Sequence, residues 1–236
     1  MEFWNRSLDE LGVQGMEKSL SPDADWDAFV QSGREELAAA QGVIPMKTGP
    51  RRRVLDVGCG LGRVSFALAE QFGEVVGVDI AATLIETARS WNRFAHVRFE
   101  HLSGPEMMPG VREEFDTVFA NEVFYLIPWP VLTQYSRDAW RLLRPGGEFV
   151  FQLNLQPILW KTRISWQIRH ILYCCGITKW RGWPTGPGYR RYDHPVDKVR
   201  RMLQQIGFRV ERIGIGRSVR QTWFLAQKPS SDAADV

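Results

Sequence analysis

Two short runs constrain this chain more than any other feature. Val54-Leu55-Asp56-Val57-Gly58-Cys59-Gly60-Leu61-Gly62 is a run of aliphatic residues that ends in three glycines at alternate positions. Val75-Val76-Gly77-Val78-Asp79 closes with an acid seventeen residues after Gly62. Each apolar run reads as a buried strand, and Val64, Leu68 and the Phe72 region line one face of a helix between them. The result is a β-α-β unit with a glycine turn at the tip of one strand and a carboxylate at the tip of the next. The glycines let a ligand approach the backbone. The carboxylate can accept hydrogen bonds from both hydroxyls of a ribose, so an adenosine-type cofactor is expected.

The details discriminate between cofactors. A dinucleotide turn wants a small third residue in Gly-x-Gly-x-x-Gly/Ala. Counted from Gly58 that position is Arg63, which is too large, and counted from Gly60 it is Ser65. Asp56, inside the first strand, sits badly beside a pyrophosphate but would attract the ammonium of a methionine moiety. Asp56-x-Gly58-x-Gly60-x-Gly62 together with Asp79 resembles the class I S-adenosylmethionine-dependent methyltransferases. Phe115-Asp116-Thr117-Val118-Phe119-Ala120-Asn121 looks like the fourth strand of that family. Leu142-Leu143-Arg144-Pro145-Gly146-Gly147-Glu148 looks like the turn before its fifth strand. The motifs follow one another at α/β-repeat spacing and cover the middle of the chain, while the C-terminal third matches only by general pattern.

The resemblance implies a fold class: α/β, a Rossmann-like, seven-stranded, mostly parallel sheet with an antiparallel last strand, in three α-β-α layers. It also implies S-adenosyl-L-methionine as cofactor. The backbone at Gly58, Cys59, Gly60 and Gly62 would approach methionine and ribose. Asp56 would act on the methionine end and Asp79 on the ribose hydroxyls, with Ile80 under the adenine. Ser103-Gly104-Pro105-Glu106-Met107 looks like the adenine-contact loop, with Glu106 or Met107 facing the ring. Asn121 would meet the amino acid portion and Glu122 the substrate. In the run Val123 to Pro128, Leu126 stands where small-molecule members carry a histidine. The expected catalytic groups are therefore His194, Tyr192 and Glu122, with His170 a weaker choice and His96 and His101 structural. The implied activity is O-methylation of a small molecule, sugar or glycolipid. N-methylation of a small amine, or cofactor binding without turnover, are the alternatives. Asn121-Glu122-Val123-Phe124 departs from the Asn/Asp-Pro-Pro-Tyr/Phe motif of nucleic-acid amino-methylating members, so no nucleic-acid partner is expected.

Composition bounds the rest. The 236 residues suit one α/β domain with an elaboration, and 44% hydrophobic and 24% charged residues are ordinary for a globular chain. The net charge of +3 is small, but residues 161–220 carry fourteen Lys/Arg against three Asp/Glu, which points to a solvated basic face, an anionic substrate or an acidic membrane surface. Ten tryptophans are many, and Trp129, Trp160, Trp166, Trp180 and Trp183 fall close together. Three cysteines, two adjacent, make no disulfide framework, and no Cys/His spacing matches a metal site. With no apolar leader pattern and no long apolar run, a reducing, cytoplasmic setting is expected.

Along the chain, residues 1–50 read as an N-terminal helical lid of two short helices broken at Ser32-Gly33, with Trp26, Phe29 and Arg34 as its working residues. Residues 51–229 read as the methyltransferase domain, closed by a hairpin of two final strands, and residues 230–236 as a disordered tail. Residues 155–194 are a cap insertion after the fifth strand. Trp160, Ile164, Ile168, Leu172 and Cys175 form a helical stripe there, followed by a glycine-proline loop. A core-facing or lid helix over the substrate is the favoured reading of the stripe, and a helix lying on a membrane surface is the less favoured one.

Overall fold

A computed structural model gives the structure of the protein and describes residues 26–180, 183–185, 191–216 and 220–230. The first half of the expected preface, most of the Arg181–Tyr189 loop and the tail 231–236 lie outside the described residues. The elements in chain order are α1 (Trp26–Gln41), β1 (Gly49–Val57), α2 (Arg63–Ala69), β2 (Phe72–Asp79), α3 (Ala82–Trp91), β3 (Val97–His101) and β4 (Phe115–Ala120). A 3₁₀ turn (Phe124–Leu126), α4 (Trp129–Leu142), β5 (Leu143–Leu153) and α5 (Trp160–Cys174) follow. Then come β6 (Lys179–Trp180), β7 (Trp183–Pro184), α6 (Val196–Ile206), β8 (Arg209–Ile215) and β9 (Thr222–Gln227).

Seven strands make one sheet in the order β3-β2-β1-β4-β5-β9-β8. β1 to β5 pair in parallel, and β9 runs antiparallel to both β5 and β8. The closing hairpin is thus present and its last strand is the antiparallel one. Successive residues of each strand serve opposite faces. Val54, Val75, Phe119, Val150 and Trp223 join α1, α2 and α3 in one core. Their neighbours Leu55, Val76, Val118, Phe151 and Phe224 join α4 and α6 in the other. A sheet covered on both faces requires the near-continuous apolar strands seen in the sequence.

Two expectations are corrected. α1 is continuous through Ser32-Gly33, because the Ser32 hydroxyl donates back to the Phe29 carbonyl (2.7 Å) and leaves the helix intact. Gly33 has a different task. A Cβ built there would lie 2.1 Å from the Arg63 carbonyl oxygen, so the glycine lets α1 seat against the start of α2. The second correction concerns α5: no residue of it is buried, so it is not a core-facing helix.

Candidate active site

The site lies where the parallel strands end in loops, at the point where the strand order reverses between β1 and β4. Clefts in open α/β sheets form there because neighbouring connections leave in opposite directions. The cavity is about 450 Å³, in the range of small-ligand pockets. Its lining includes Asp56, Gly58, Cys59, Gly60, Asp79, Ile80, Asn121 and Glu122.

The three turn glycines have separate reasons to be glycine. All three have positive φ. A Cβ at Gly58 would strike Val123 (2.2 Å) and one at Gly62 would strike Phe99 (2.7 Å), so those two are required by the protein's own packing. At Gly60 a Cβ would meet nothing within 4 Å. This glycine is the one that presents bare backbone to the open cavity.

Asp79 ends β2 and locks the turn. Its carboxylate accepts the Gly60 N–H at 3.0 Å and the Ala81 N–H at 2.9 Å. Burial raises its pKa and the backbone N–H donors work against that rise. Each carboxylate oxygen keeps acceptor capacity beyond these bonds, enough for a pair of vicinal hydroxyls. Asp56 is buried, and its Oδ2 accepts the Ser65 hydroxyl at 2.5 Å. Burial pushes its pKa up to about 6; the Ser65 bond and Arg63 oppose the shift and Asp79 adds to it. Ser65, the third position of the glycine motif counted from Gly60, is therefore the partner of the strand acid as well as a small residue.

A further part of the lining comes from the loop after β4. Asn121 lines the cavity, and its buried Oδ1 accepts no hydrogen bond from the described residues. Glu122 holds a left-handed backbone (φ 57°), fixed where its N–H donates to Gln152 Oε1 (3.0 Å). Its side chain is open to the cavity, yet desolvation by the walls raises its pKa, with Glu36 adding and Arg63 opposing. Tyr125 lines the same wall, and burial holds its hydroxyl firmly in the protonated form. Leu84, Leu102, Leu126, Ile127 and Tyr135 complete an apolar surround.

Other expected site residues lie elsewhere. Gly62 caps α2 and does not line the cavity. Met107 is fully buried in the core, its N–H held by Asp138 (3.1 Å), and Glu106 points to Arg141 (3.3 Å). His194 is buried behind the wall. Its Nε2 donates to the Ile127 carbonyl at 3.0 Å, and burial lowers its pKa. The Tyr192 side chain faces a second groove with Arg163 and Trp166, while its backbone N–H donates to the Tyr125 carbonyl (2.8 Å). Trp26, Phe29 and Arg34 pack on Phe66, Trp91 and Glu70 rather than line the cavity. Sequence reasoning missed Tyr125, Tyr135, Leu102 and Arg63, which reach the cavity only because the sheet brings separate loops together.

The comparisons with known proteins agree with this geometry. A family described as "Methyltransferase domain" matches residues 54–147. Ubiquinone biosynthesis O-methyltransferase from Alkalilimnicola ehrlichii is 30% identical over 109 residues, covering 45% of this chain and 43% of that protein. The protein of the same name from Bordetella avium is 34% identical over 109 residues, covering 45% and 44%. The chain thus spans less than half the length of the curated relatives it matches. Among solved structures, magnesium protoporphyrin IX methyltransferase from Synechocystis PCC 6803, with bound SAH, superimposes with a TM-score of 0.63 at 16% identity, covering 98% of this chain and 99% of that one. Residues 54–147 are thus similar to a methyltransferase domain, and the fold around them is that of a solved methyltransferase.

Proposed function

We propose that this chain transfers a methyl group from S-adenosylmethionine to a hydroxyl of a small-molecule acceptor. The observation that carries this reading is the set of groups lining the cavity. Gly60 and Asp79 offer open backbone and a carboxylate able to bind a ribose, and Glu122 and Tyr125 add a second carboxylate and a phenol to the same lining. The names of the curated relatives support oxygen as the methylated atom. The residues present fit the cofactor, since the orphaned Asn121 Oδ1 and the uncrowded Gly60 are the features a polar ligand would complete.

When bound, the cofactor supplies an electrophilic methyl group on a sulfonium centre. Asp79 accepts the ribose hydroxyls, while Asp56 and the Asn121 Oδ1 attract the ammonium of the methionine portion. Ile80, Leu84 and Leu102 exclude water, which strengthens these charge-assisted contacts. On the acceptor side Glu122 takes the hydroxyl proton. Its raised pKa makes it a better base than an ordinary carboxylate. Tyr125, kept protonated, orients the acceptor oxygen by donating a hydrogen bond. His194 is a positioning residue that fixes the Ile127 wall segment through its carbonyl, and Tyr192 fixes Tyr125 in the same way.

The test is transfer of labelled methyl from S-adenosylmethionine to a panel of phenols, sugars and amines. Label on phenolic or sugar oxygen supports the reading, and its reduction in Glu122→Gln supports the base. Label only on amines, or on none of the panel although the cofactor binds, overturns it.

A further inference from the structure

α5 is the one helix of eight or more residues among the described residues that buries none of its residues. A fifteen-residue helix without tertiary burial is marginal in water, so an amphipathic helix of this kind calls for a surface to lie on. Its exposed apolar residues are not scattered. Trp160 (66% exposed), Ile164 (45%), Ile168 (40%) and Ile171 (62%) recur at spacings of four, four and three. On a wheel of 3.6 residues per turn they occupy roughly 80° of arc. Leu159 (66%) and Ile177 (44%) add exposed apolar side chains just beyond the two ends of the helix.

The charges beside the stripe say what covers it. Trp160–Cys174 contains no Asp or Glu. Lys161 and Arg163 flank the stripe on opposite sides, with Lys161 Nζ 5.6 Å from the Trp160 ring centre and Arg163 paired with Asp193 (2.6 Å). Apolar residues with a tryptophan, edged by cations, match the boundary of an anionic bilayer: aliphatic side chains reach the acyl region and cations the headgroups. A second copy seated on the same stripe would bring like charges together. The fourteen-to-three excess of basic over acidic residues in 161–220 continues the same sign along the chain. α5 also leaves β5 close to the cavity, since Tyr192, in the groove shared with Arg163 and Trp166, is hydrogen-bonded to Tyr125 of the cavity wall.

We propose that α5 docks this protein on anionic phospholipid surfaces, with Trp160, Ile164, Ile168 and Ile171 in the interface and Lys161 and Arg163 at the headgroups. This holds whether or not methyl transfer is the activity. The experiment is flotation of the full chain with vesicles of phosphatidylcholine containing phosphatidylglycerol, against phosphatidylcholine alone. The expected result is flotation with the anionic vesicles only, weakened by salt. Ile164→Glu combined with Ile171→Glu should lower vesicle affinity by at least about tenfold. Lys161→Glu, which touches no core residue, should weaken it several-fold and serves if the double variant fails to fold. Absence of wild-type flotation, equal flotation on neutral vesicles, or unchanged flotation of the folded variants overturns the proposal. So does light scattering that shows a wild-type dimer which the isoleucine substitutions convert to monomer, because the stripe would then belong to a second copy.

Discussion

Gly33→Ala should destabilise the protein, against the ordinary expectation for a glycine inside a helix. Alanine is favoured over glycine by about 1 kcal/mol in a helix interior. Gly33 lies within α1 and is not among the positive-φ glycines, so the backbone itself would accept alanine. The contact decides the sign. The new Cβ would lie 2.1 Å from the Arg63 carbonyl oxygen, a backbone atom that cannot rotate away. Either α1 lifts from α2 or the start of α2 shifts, and overpacking of this kind costs about 1–3 kcal/mol. A helix shift also disturbs Phe29, Val30 and Leu37, all buried on the same face. With a backbone contact this close the cost falls in the upper part of that range, about 2–3 kcal/mol, and leaves a net loss of about 1–2 kcal/mol after the propensity gain. For a chain of this size that lowers Tm by roughly 2–8 °C. Arg63 lines the cavity and its guanidinium donates to the Ser32 carbonyl (2.9 Å), so S-adenosylhomocysteine affinity should fall as well. The assay is thermal unfolding by circular dichroism, with calorimetry of the ligand. A Tm raised by roughly 2–4 °C, the propensity gain alone, would refute the close seating of α1 on α2.

Three further outcomes follow from the same contacts. Asp56 has a folded pKa of about 6 against an ordinary 3.8, so the native state holds its proton more tightly and loses stability as pH rises through that window. The cost above pH 6 is on the order of 3 kcal/mol, the shift of about two units at 1.36 kcal/mol each. Asp56→Asn, which still accepts from Ser65, should therefore match wild type near pH 4 and exceed it in urea unfolding at pH 7, while binding S-adenosylhomocysteine more weakly; a stability gap that does not widen with pH refutes the assignment. Asn121→Ala should leave Tm within about 1 °C, since its Oδ1 has no protein partner to lose, yet weaken S-adenosylhomocysteine by about tenfold; unchanged affinity removes Asn121 from the site. With an acceptor in hand, Glu122→Gln should lower kcat and shift its pH dependence, whereas His194→Gln should leave the shape of the profile unchanged because His194 does not line the cavity.

The middle of the sheet was legible because β1, β2, β4 and β5 are buried on both faces. Nothing but a near-continuous apolar run fits there, and the glycine turn and acidic tip punctuate the runs. The glycine-turn end of the cavity was legible for the same reason, since Gly60 and Asp79 sit at fixed offsets from a strand end. The rest of the lining was not. Tyr125, Leu102 and Tyr135 come from three separate segments and share no spacing rule. The loop before β4 was misplaced because Met107 was read as a ligand contact when it belongs to the core. Asp138 carried the missing signal: an acid on the apolar face of α4 needs a buried donor, and it finds the Met107 N–H. His194 was singled out by residue type and by its place before the helix that follows the cap, which do not distinguish a base from a buried imidazole bonded to a carbonyl. The stripe of α5 was visible as periodicity, but periodicity does not say whether a core or some other surface receives it.

The most direct measurement of the central claim is calorimetry of S-adenosylhomocysteine and NADH with wild type and Asp79→Ala. One saturable site is expected for S-adenosylhomocysteine and none for NADH. In the variant, loss of the ribose contacts and of the carboxylate that fixes Gly60 should weaken S-adenosylhomocysteine by at least about tenfold, at 1.5–3 kcal/mol per charge-assisted bond. Tighter binding of NADH, or equal S-adenosylhomocysteine affinity in a folded Asp79→Ala, would contradict it.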